Sequence, residues 1–148
     1  MPEEATHSPH IRASAPESSV RKPILAVDFD GTLHAYTSGW KGADIVSDPP
    51  ISGAMRFLTD ASEKFEVHIY SSRSNQPGGI MAMYDWLSEE LARYWIDQPD
   101  FGAKVLSRIK FPKDKPQAEV ILDDRAVTFN GIYPDIDALL AFKPWNKK

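Results

Sequence analysis

Three short apolar runs in this chain each end in a cluster of polar residues. The clusters begin at Asp28, Ser71 and Asp123, and they follow the runs ILAV, VHIY and VIL respectively. A short continuous apolar run bounded by polar residues is typical of a strand buried in a parallel sheet. Since the carboxyl ends of parallel strands lie at one edge of a sheet, the pattern predicts that the three polar clusters meet there.

The segments between these runs carry helical signals. Ile80, Met83 and Leu87 recur at the spacing of one helix face, and Ser52 is a candidate N-cap for an earlier helix. Strands alternating with helices predict an α/β fold, here a Rossmann-like three-layer sandwich with a mostly parallel central sheet. The predicted strands are 24–27, 66–70, 105–109 and 119–122, and the predicted helices are 51–64, 80–94 and 135–142.

The domain organisation follows from length and local composition. A chain of 148 residues suits one domain with a core of its own and is too short for two. Residues 1–22 are rich in Pro, Ser, Ala and Glu and show no periodicity, so we expect a disordered tail there. A family-specific extension is the alternative. The folded domain is expected to span residues 23–148.

The amino-acid content excludes several classes of protein. No cysteine is present, which excludes a disulfide scaffold, a thiolate zinc site and a cysteine nucleophile. A net charge of −4 argues against non-specific coating of nucleic acid. No apolar run approaches the ~20 residues needed to cross a bilayer, and the N-terminal residues lack the apolar segment of a secretory signal. We therefore expect a cytoplasmic protein that does not enter a membrane.

Four carboxylates converge at the predicted sheet edge, those of Asp28, Asp30, Asp123 and Asp124. Unpaired negative charges a few ångströms apart repel one another, which raises their pKa values. A hard divalent cation removes this penalty, and Mg²⁺ prefers carboxylate, water and phosphate oxygens as ligands. The absence of cysteine and of paired histidines nearby argues against zinc and copper. The sequence therefore predicts a magnesium site.

These motifs carry a family resemblance. Residues 28–33 (DFDGTL), directly after an apolar strand, resemble the first signature of the haloacid dehalogenase superfamily of phosphotransferases. Ser71 resembles its second motif, a serine or threonine that binds phosphate, and the pair Asp123–Asp124 resembles its acidic fourth motif. The resemblance covers residues 23–131. It implies a Mg²⁺-dependent phosphomonoester hydrolase that acts through an aspartyl-phosphate intermediate.

The resemblance also implies a role for each residue. Asp28 would be the nucleophile, and Asp30 would act first as general acid and then as general base. Ser71 would hold an oxygen of the phosphate. The metal would be bound by the carboxylate of Asp28, the main-chain carbonyl of Asp30 and the Asp123–Asp124 pair. The further candidates for contact with phosphate are Thr32, Ser72, Arg73 and Lys115.

The family's phosphate-neutralising lysine is weakly fixed by sequence. The candidates are Lys104, Lys110, Lys113 and Lys115. We favour Lys115, because Pro116 restricts the chain immediately before the fourth predicted strand. Lys110, at the end of the third predicted strand, is the alternative.

Four side chains near these motifs have less specific signals. The SSR and DDR triplets resemble those of the phosphatase domain of phage polynucleotide kinase-phosphatases, in which an arginine meets the substrate phosphate. Arg73 would contact the substrate phosphate in the same way, or it would form a surface salt bridge. Arg125 matches the arginine of the DDR triplet in those phosphatases. Trp40 would either cover the site at the tip of a flap or pack its own loop. His34 would touch the substrate or, as is more common for a lone loop histidine, be incidental, and we expect the latter.

The spacing of the motifs leaves no room for a cap domain. Residues 31–70 and 72–114 are too few to fold a separate domain with its own core, so the resemblance implies a capless protein with an open site. An open site admits a phosphate on a bulky group, and a nucleotide or nucleic-acid end is the favoured substrate. The alternatives are phosphoryl transfer to an acceptor other than water and a non-catalytic phosphate- or metal-binding module. The sequence does not determine the natural substrate or the oligomeric state.

Overall fold

The computed structural model describes residues 21–147. The chain forms a four-stranded, all-parallel sheet flanked by helices, which confirms the predicted α/β, Rossmann-like class. The predicted tail lies outside the described residues, except for positions 21 and 22. The elements are β1 (Ile24–Val27), α1 (Ala54–Lys64), β2 (Glu66–Ile69), α2 (Gly79–Tyr94), α3 (Pro99–Ser107), β3 (Ile109–Lys110), β4 (Val120–Leu122), α4 (Ile136–Leu140) and a 3-10 helix (Trp145–Lys147). The strand order is β3-β2-β1-β4.

The register of the sheet places the three polar clusters side by side at its carboxyl edge. Val27 of β1 lies opposite both Ile69 of β2 and Leu122 of β4, so these three strands end side by side. The pairing continues one residue further on each side of β1. The amide of Asp28 donates to the carbonyl of Leu122 at 2.9 Å, and the amide of Tyr70 donates to the carbonyl of Val27 at 3.1 Å. The loops that follow the three strands therefore start next to one another.

The core lies between one face of the sheet and the helices α1, α2 and α3. Leu25 and Val27 of β1 and Val67 and Ile69 of β2 are buried in it together. Since β2 and β3 follow β1 in one direction across the sheet, right-handed crossovers place the connecting helices on the same face. The helices contribute Leu58, Met83, Leu87, Leu91 and Val105.

The β4 side of the sheet is more exposed to solvent than the core around β1 and β2. Residues 111–119 connect β3 to β4 without a helix, so this crossover adds no packed layer. Val120, Ile121 and Leu122 are between 43% and 52% exposed, and the residues of α4 are exposed as well. The C-terminal end returns to the body of the domain, where the indole N–H of Trp145 donates to a main-chain carbonyl at 2.9 Å.

One predicted strand is largely a helix. The sequence predicts the third strand over residues 105–109, but α3 continues to Ser107 and β3 has only two residues. Pro99 occupies the first turn of α3, where a missing N–H is tolerated. Phe101 and Val105 then lie one turn apart and both pack toward the core, so the apolar residues follow a helical and not an alternating pattern.

The start of α1 also differs from the expectation. Ser52 is not the N-cap, because Gly53 takes that position and no side chain caps the helix. Gly53 has φ of 88°, a left-handed conformation that glycine adopts without steric strain. The chain thus enters α1 through a backbone turn.

The connection from β1 to α1 is a long loop that positions the site. Residues 28–53 contain isolated bridges but no helix or strand, so they form no cap domain. None of the helices in residues 21–147 combines the length and the apolar character needed to cross a membrane.

Candidate active site

The three polar clusters line one cavity of about 340 Å³ at the carboxyl edge of the sheet. The cavity is lined by residues that the sequence pointed to, namely Asp28, Asp30, Ser71, Ser72, Asp123, Trp40 and Arg125. Tyr36 completes its lining. The structure thus brings together residues from the ends of β1, β2 and β4, as the parallel register requires.

Asp28, Asp123 and Asp124 form an acidic cluster. One carboxylate oxygen from each residue lies within 4.8 Å of the other two. Burial, the hydrogen bond with Asp124 and the negative charge of Asp123 together raise the pKa of Asp28 to about 8. Within the described part of the chain, Oδ1 of Asp124 is buried and has no hydrogen-bond partner. A cluster of hard oxygen ligands that includes this buried, unpartnered oxygen fits a hard divalent cation such as Mg²⁺.

Gly31 allows the acidic cluster to form. It has φ of 84°, and a Cβ at this position would collide with the carboxylate of Asp124. The glycine of the first motif therefore brings the loop after β1 against the loop after β4. Trp145 donates to the carbonyl of Gly31 at 2.9 Å, so the C-terminal end of the chain is attached to the same turn.

Asp30, unlike Asp28, is surrounded by hydrogen-bond donors. Its Oδ1 accepts a hydrogen bond from Nδ1 of His34 at 2.9 Å. Arg73 donates from Nε to Oδ2 at 2.9 Å and from Nη2 to Oδ1 at 3.1 Å. Burial alone raises the pKa of Asp30, but the hydrogen bonds from His34 and Arg73 and the charge of the guanidinium outweigh it and lower the pKa below its ordinary value. Asp30 is thus held as an oriented carboxylate.

His34 is part of this arrangement, so the expectation that it is incidental is wrong. The side chain is 1% exposed, and its Nε2 accepts the main-chain N–H of Asp48 at 3.0 Å. Because Nε2 is the acceptor, the proton of the neutral ring lies on Nδ1, which donates it to Asp30. The four-residue spacing from Asp30 to His34 was the available signal in the sequence.

Arg73 is fully buried, with 0% of the residue exposed. Besides holding Asp30, its Nη1 donates to the carbonyls of Gly42, Ala43 and Ile45 at 2.9 to 3.0 Å. All three guanidinium nitrogens are therefore engaged inside the protein. The surface salt bridge considered from the sequence is wrong, and contact of Arg73 with a phosphate would require some of these bonds to break.

Ser71 begins a tight turn after β2. Its hydroxyl oxygen accepts the amide N–H of Arg73 at 3.0 Å, while its own amide donates to the hydroxyl of Ser74 at 3.0 Å. The hydroxyl hydrogen of Ser71 can then be donated to a ligand oxygen in the cavity. Gly79 at the start of α2 permits this turn, because a Cβ there would collide with the carbonyl of Arg73. Ser72 is exposed and lines the same cavity.

Lys115 and Thr32 lie beside the acidic cluster in neighbouring cavities. Lys115 lines a cavity of about 340 Å³ together with Asp28 and Asp123. Thr32 donates weakly to Oδ2 of Asp28, at 3.4 Å, and shares another cavity with Asp123 and Asp124. These positions are compatible with contact to a phosphate, which stays a prediction.

The other lysine candidates have different surroundings. Lys110 forms an ion pair with Glu66 of β2 at 3.2 Å. Lys113 lines a separate cavity beside Gln76, and Lys104 lies on α3. Of the four candidates, Lys115 is the one that shares a cavity with Asp28 and Asp123 among the described cavities.

The remaining lining residues are Trp40, Tyr36 and Arg125. Trp40 is 47% exposed and packs over the guanidinium of Arg73, with 4.9 Å from the ring centroid to Cζ. It therefore both packs its loop and lines the cavity. Tyr36 has φ of 62°, an uncommon conformation for a side chain of this size. Nε of Arg125 lies 3.8 Å from Oδ2 of Asp124, at the rim of the acidic cluster.

Comparisons with protein-family models, with curated proteins and with solved structures gave no match to this chain. The function is therefore inferred from the residues of the cavity and their geometry.

Proposed function

We propose that this protein is a Mg²⁺-dependent phosphomonoester hydrolase. One observation carries the proposal. Asp28 and Asp123 of the acidic cluster line a single cavity together with a carboxylate, Asp30, and a hydroxyl, Ser71, and Asp124 completes the cluster beside them. Phosphoryl transfer through a carboxylate nucleophile needs this set: a nucleophile, an acid-base group, a phosphate ligand and a site for a cation.

The acidic cluster would hold the metal ion. Asp28, Asp123 and Asp124 offer carboxylate oxygens, and the buried, unpartnered Oδ1 of Asp124 is the atom that most needs such a partner. When bound, Mg²⁺ would neutralise charge on the phosphoryl group and on the acidic cluster. It would also favour the ionised form of Asp28, which is the nucleophilic form.

Hydrolysis would then proceed in two steps, in which Asp28 and Asp30 have different roles. An oxygen of Asp28 attacks phosphorus and forms an aspartyl-phosphate, while the bond from phosphorus to the ester oxygen breaks and the alcohol leaves with a proton. Water attacks the intermediate in the second step, which releases inorganic phosphate and restores Asp28. Asp30 lines the same cavity, so it is placed to accept a proton from the attacking water. Because its pKa is lowered, the proton for the alcohol is one that Asp30 first takes up from solvent and then passes on.

Two further residues would bind the phosphate. The hydroxyl hydrogen of Ser71 is available to a phosphate oxygen, because the hydroxyl oxygen is already engaged by an amide. Lys115, which shares a cavity with Asp28, would supply positive charge. Both interactions would strengthen as charge shifts onto the transferred group.

The proposal is tested by hydrolysis of p-nitrophenyl phosphate with Mg²⁺. We expect release of inorganic phosphate, loss of that activity in EDTA and loss in Asp28→Asn. Asp60→Asn is the matched control, since Asp60 is exposed on α1 and its ion-pair partner is Arg56 on the same helix. Activity that survives in Asp28→Asn would contradict the assigned nucleophile.

Within this class we propose a nucleotide or a nucleic-acid end as substrate. The cavity is lined by two aromatic side chains, Tyr36 and Trp40, and by a cationic one, Arg125, and these suit a planar base and a second phosphate. A panel of nucleotides, 3′-phosphorylated oligonucleotides, sugar phosphates and phosphopeptides tests the preference. Equal rates across the panel would contradict it. The cytoplasmic location expected from the sequence stays a prediction.

A further inference from the structure

One arginine connects the acid-base carboxylate to the loop that lines the cavity. We name residues 36–48 the Trp40 loop. On one side the guanidinium of Arg73 holds both oxygens of Asp30, with bonds of 2.9 and 3.1 Å. On the other side its Nη1 donates to three main-chain carbonyls of the Trp40 loop, those of Gly42, Ala43 and Ile45.

The position of Trp40 completes this connection. Its ring lies over the guanidinium of Arg73 at 4.9 Å, so the loop also shields the arginine from water. A buried guanidinium requires both a negative partner and acceptors for its remaining hydrogens. Here Asp30 supplies the charge and the Trp40 loop supplies the carbonyls. Neither set of partners is complete without the other.

The two ends of the Trp40 loop are fixed in the same network. Ser38 donates its amide and its hydroxyl to the carboxylate of Asp48, at 2.8 and 2.6 Å. The amide of Asp48 donates to His34, and His34 donates in turn to Asp30. A second path thus leads from the loop to Asp30, independent of the arginine.

We propose that Arg73 is a positioning residue that holds Asp30 and the Trp40 loop as one unit. Opening of the loop removes the carbonyl partners of the guanidinium, and loss of the Asp30 charge leaves the guanidinium unpaired in the closed loop. Closure of the loop over the cavity and orientation of the Asp30 carboxylate are therefore coupled. The inference rests on the proposed function in treating Asp30 as the acid-base group, whereas the coupling itself rests on the contacts alone.

Limited proteolysis measures the coupling without any activity. Lys41 is exposed and lies in the Trp40 loop next to Trp40, so the rate of tryptic cleavage after Lys41 reports opening of the loop. Cleavage after Lys64, at the end of α1, reports unfolding of the core. We expect Arg73→Lys and Asp30→Asn each to raise the Lys41 rate about tenfold, since each removes a charged hydrogen-bond pair. The Lys64 rate should not change.

The matched control is Asp28→Asn, the same substitution two residues away. Asp28 makes no hydrogen bond to Arg73 or to the described Trp40 loop, so the Lys41 rate should equal that of the unaltered protein. The double variant Arg73→Lys/Asp30→Asn should be cleaved no faster than the faster single variant, because the Arg73–Asp30 connection is already broken in each single variant. An unchanged Lys41 rate in Asp30→Asn, or effects that multiply in the double variant, would overturn the coupling.

Two outcomes separate this inference from the proposed function. If Arg73→Lys unfolds, shown by fast cleavage after Lys64, Asp30→Asn alone decides the coupling. If the protein hydrolyses p-nitrophenyl phosphate, Arg73→Lys should lower kcat about tenfold with little change in KM, because the arginine orients Asp30 and does not bind substrate. A normal kcat in a variant whose loop opens faster would overturn the positioning role. Absence of activity in every variant would reject the proposed function and leave the proteolysis result intact.

Discussion

The carboxylates on the two sides of the candidate active site, Asp30 on one side and the acidic cluster on the other, have opposite electrostatic surroundings. Asp30 accepts hydrogen bonds from Arg73 and His34, and its pKa lies below the ordinary value. In the acidic cluster the described partners are more distant, with Nε of Arg125 3.8 Å from Asp124 and the hydroxyl of Thr32 3.4 Å from Asp28, and the pKa of Asp28 rises to about 8. Both carboxylates follow the same strand and are two residues apart, so the difference comes from what the rest of the chain places around them.

This contrast shows which charge the protein neutralises by itself and which one it leaves for a ligand. A carboxylate that is already paired inside the fold is stable without a metal ion. Three crowded carboxylates, with Arg125 at 3.8 Å from Asp124 as their ion-pair partner in the described part of the chain, repel one another and destabilise the protein until a cation binds. The paired side should therefore control the stability of the metal-free protein, whereas the acidic cluster should control its response to Mg²⁺.

The largest effect is expected on the paired side. Arg73→Met removes the buried positive charge and leaves Asp30 uncompensated, which should lower the free energy of unfolding by about 3 kcal/mol. Urea denaturation measures the change. Arg93→Met is the control, because Arg93 is exposed on α2 and its substitution should change stability by less than about 0.5 kcal/mol. Equal losses in the two variants would show that burial of the Arg73–Asp30 pair is unimportant.

Mg²⁺ should stabilise the protein through the acidic cluster. At a concentration about 100-fold above Kd, binding to the folded state adds about 2.7 kcal/mol to the free energy of unfolding. Thermal denaturation with and without Mg²⁺ measures this as a rise in Tm. Asp123→Asn should abolish most of the rise, and Asp60→Asn should preserve it. A rise of the same size in Asp123→Asn would place the ion elsewhere.

Removal of a carboxylate from the acidic cluster should have the opposite sign to removal of Arg73. In EDTA, Asp124→Asn relieves repulsion on Asp28 and gives the cluster a neutral amide donor, so the free energy of unfolding should rise by about 1 kcal/mol. The same variant should lose its response to Mg²⁺. Destabilisation in EDTA would mean that Asp124 is already compensated within the metal-free protein.

The smallest effect concerns Asp48 at the end of the Trp40 loop. The hydroxyl and the amide of Ser38 lower the pKa of Asp48, so its ionised form is preferred in the folded state. This contribution to stability is present above the ordinary pKa of an aspartate and is lost as the pH falls through the lowered value. Ser38→Ala should therefore be less stable than the unaltered protein at neutral pH and approach it in acid. A difference that does not depend on pH would rule out the carboxylate as its source.

Local patterns sufficed to predict the parts of the structure in which neighbouring residues decide the outcome. The short apolar runs before Asp28, Ser71 and Asp123 predicted the buried strands and the edge at which these residues meet. The segment 105–109 was misassigned because three apolar residues in five suit a strand or a helix equally. Only the packing of Val105 against the core selected the helix.

The pairing of charged side chains could not be predicted in the same way. Arg73 lies 43 positions after Asp30, and its other partners are carbonyls of the Trp40 loop, which carry no signature in the side-chain sequence. The ion pair of Lys110 with Glu66 likewise depends on the register of β2 and β3, which the sequence does not show. Such contacts depend on which loops the folded sheet brings together.

The amino-acid sequence by itself determined that strands and helices alternate, that carboxylates end the first and last strands, and that no cysteine takes part in the chemistry. The tertiary structure decided which of those carboxylates is neutralised by the protein. The reason is that hydrophobic periodicity acts between residues close in the chain, whereas desolvation and ion pairing act between groups that only folding brings within a few ångströms.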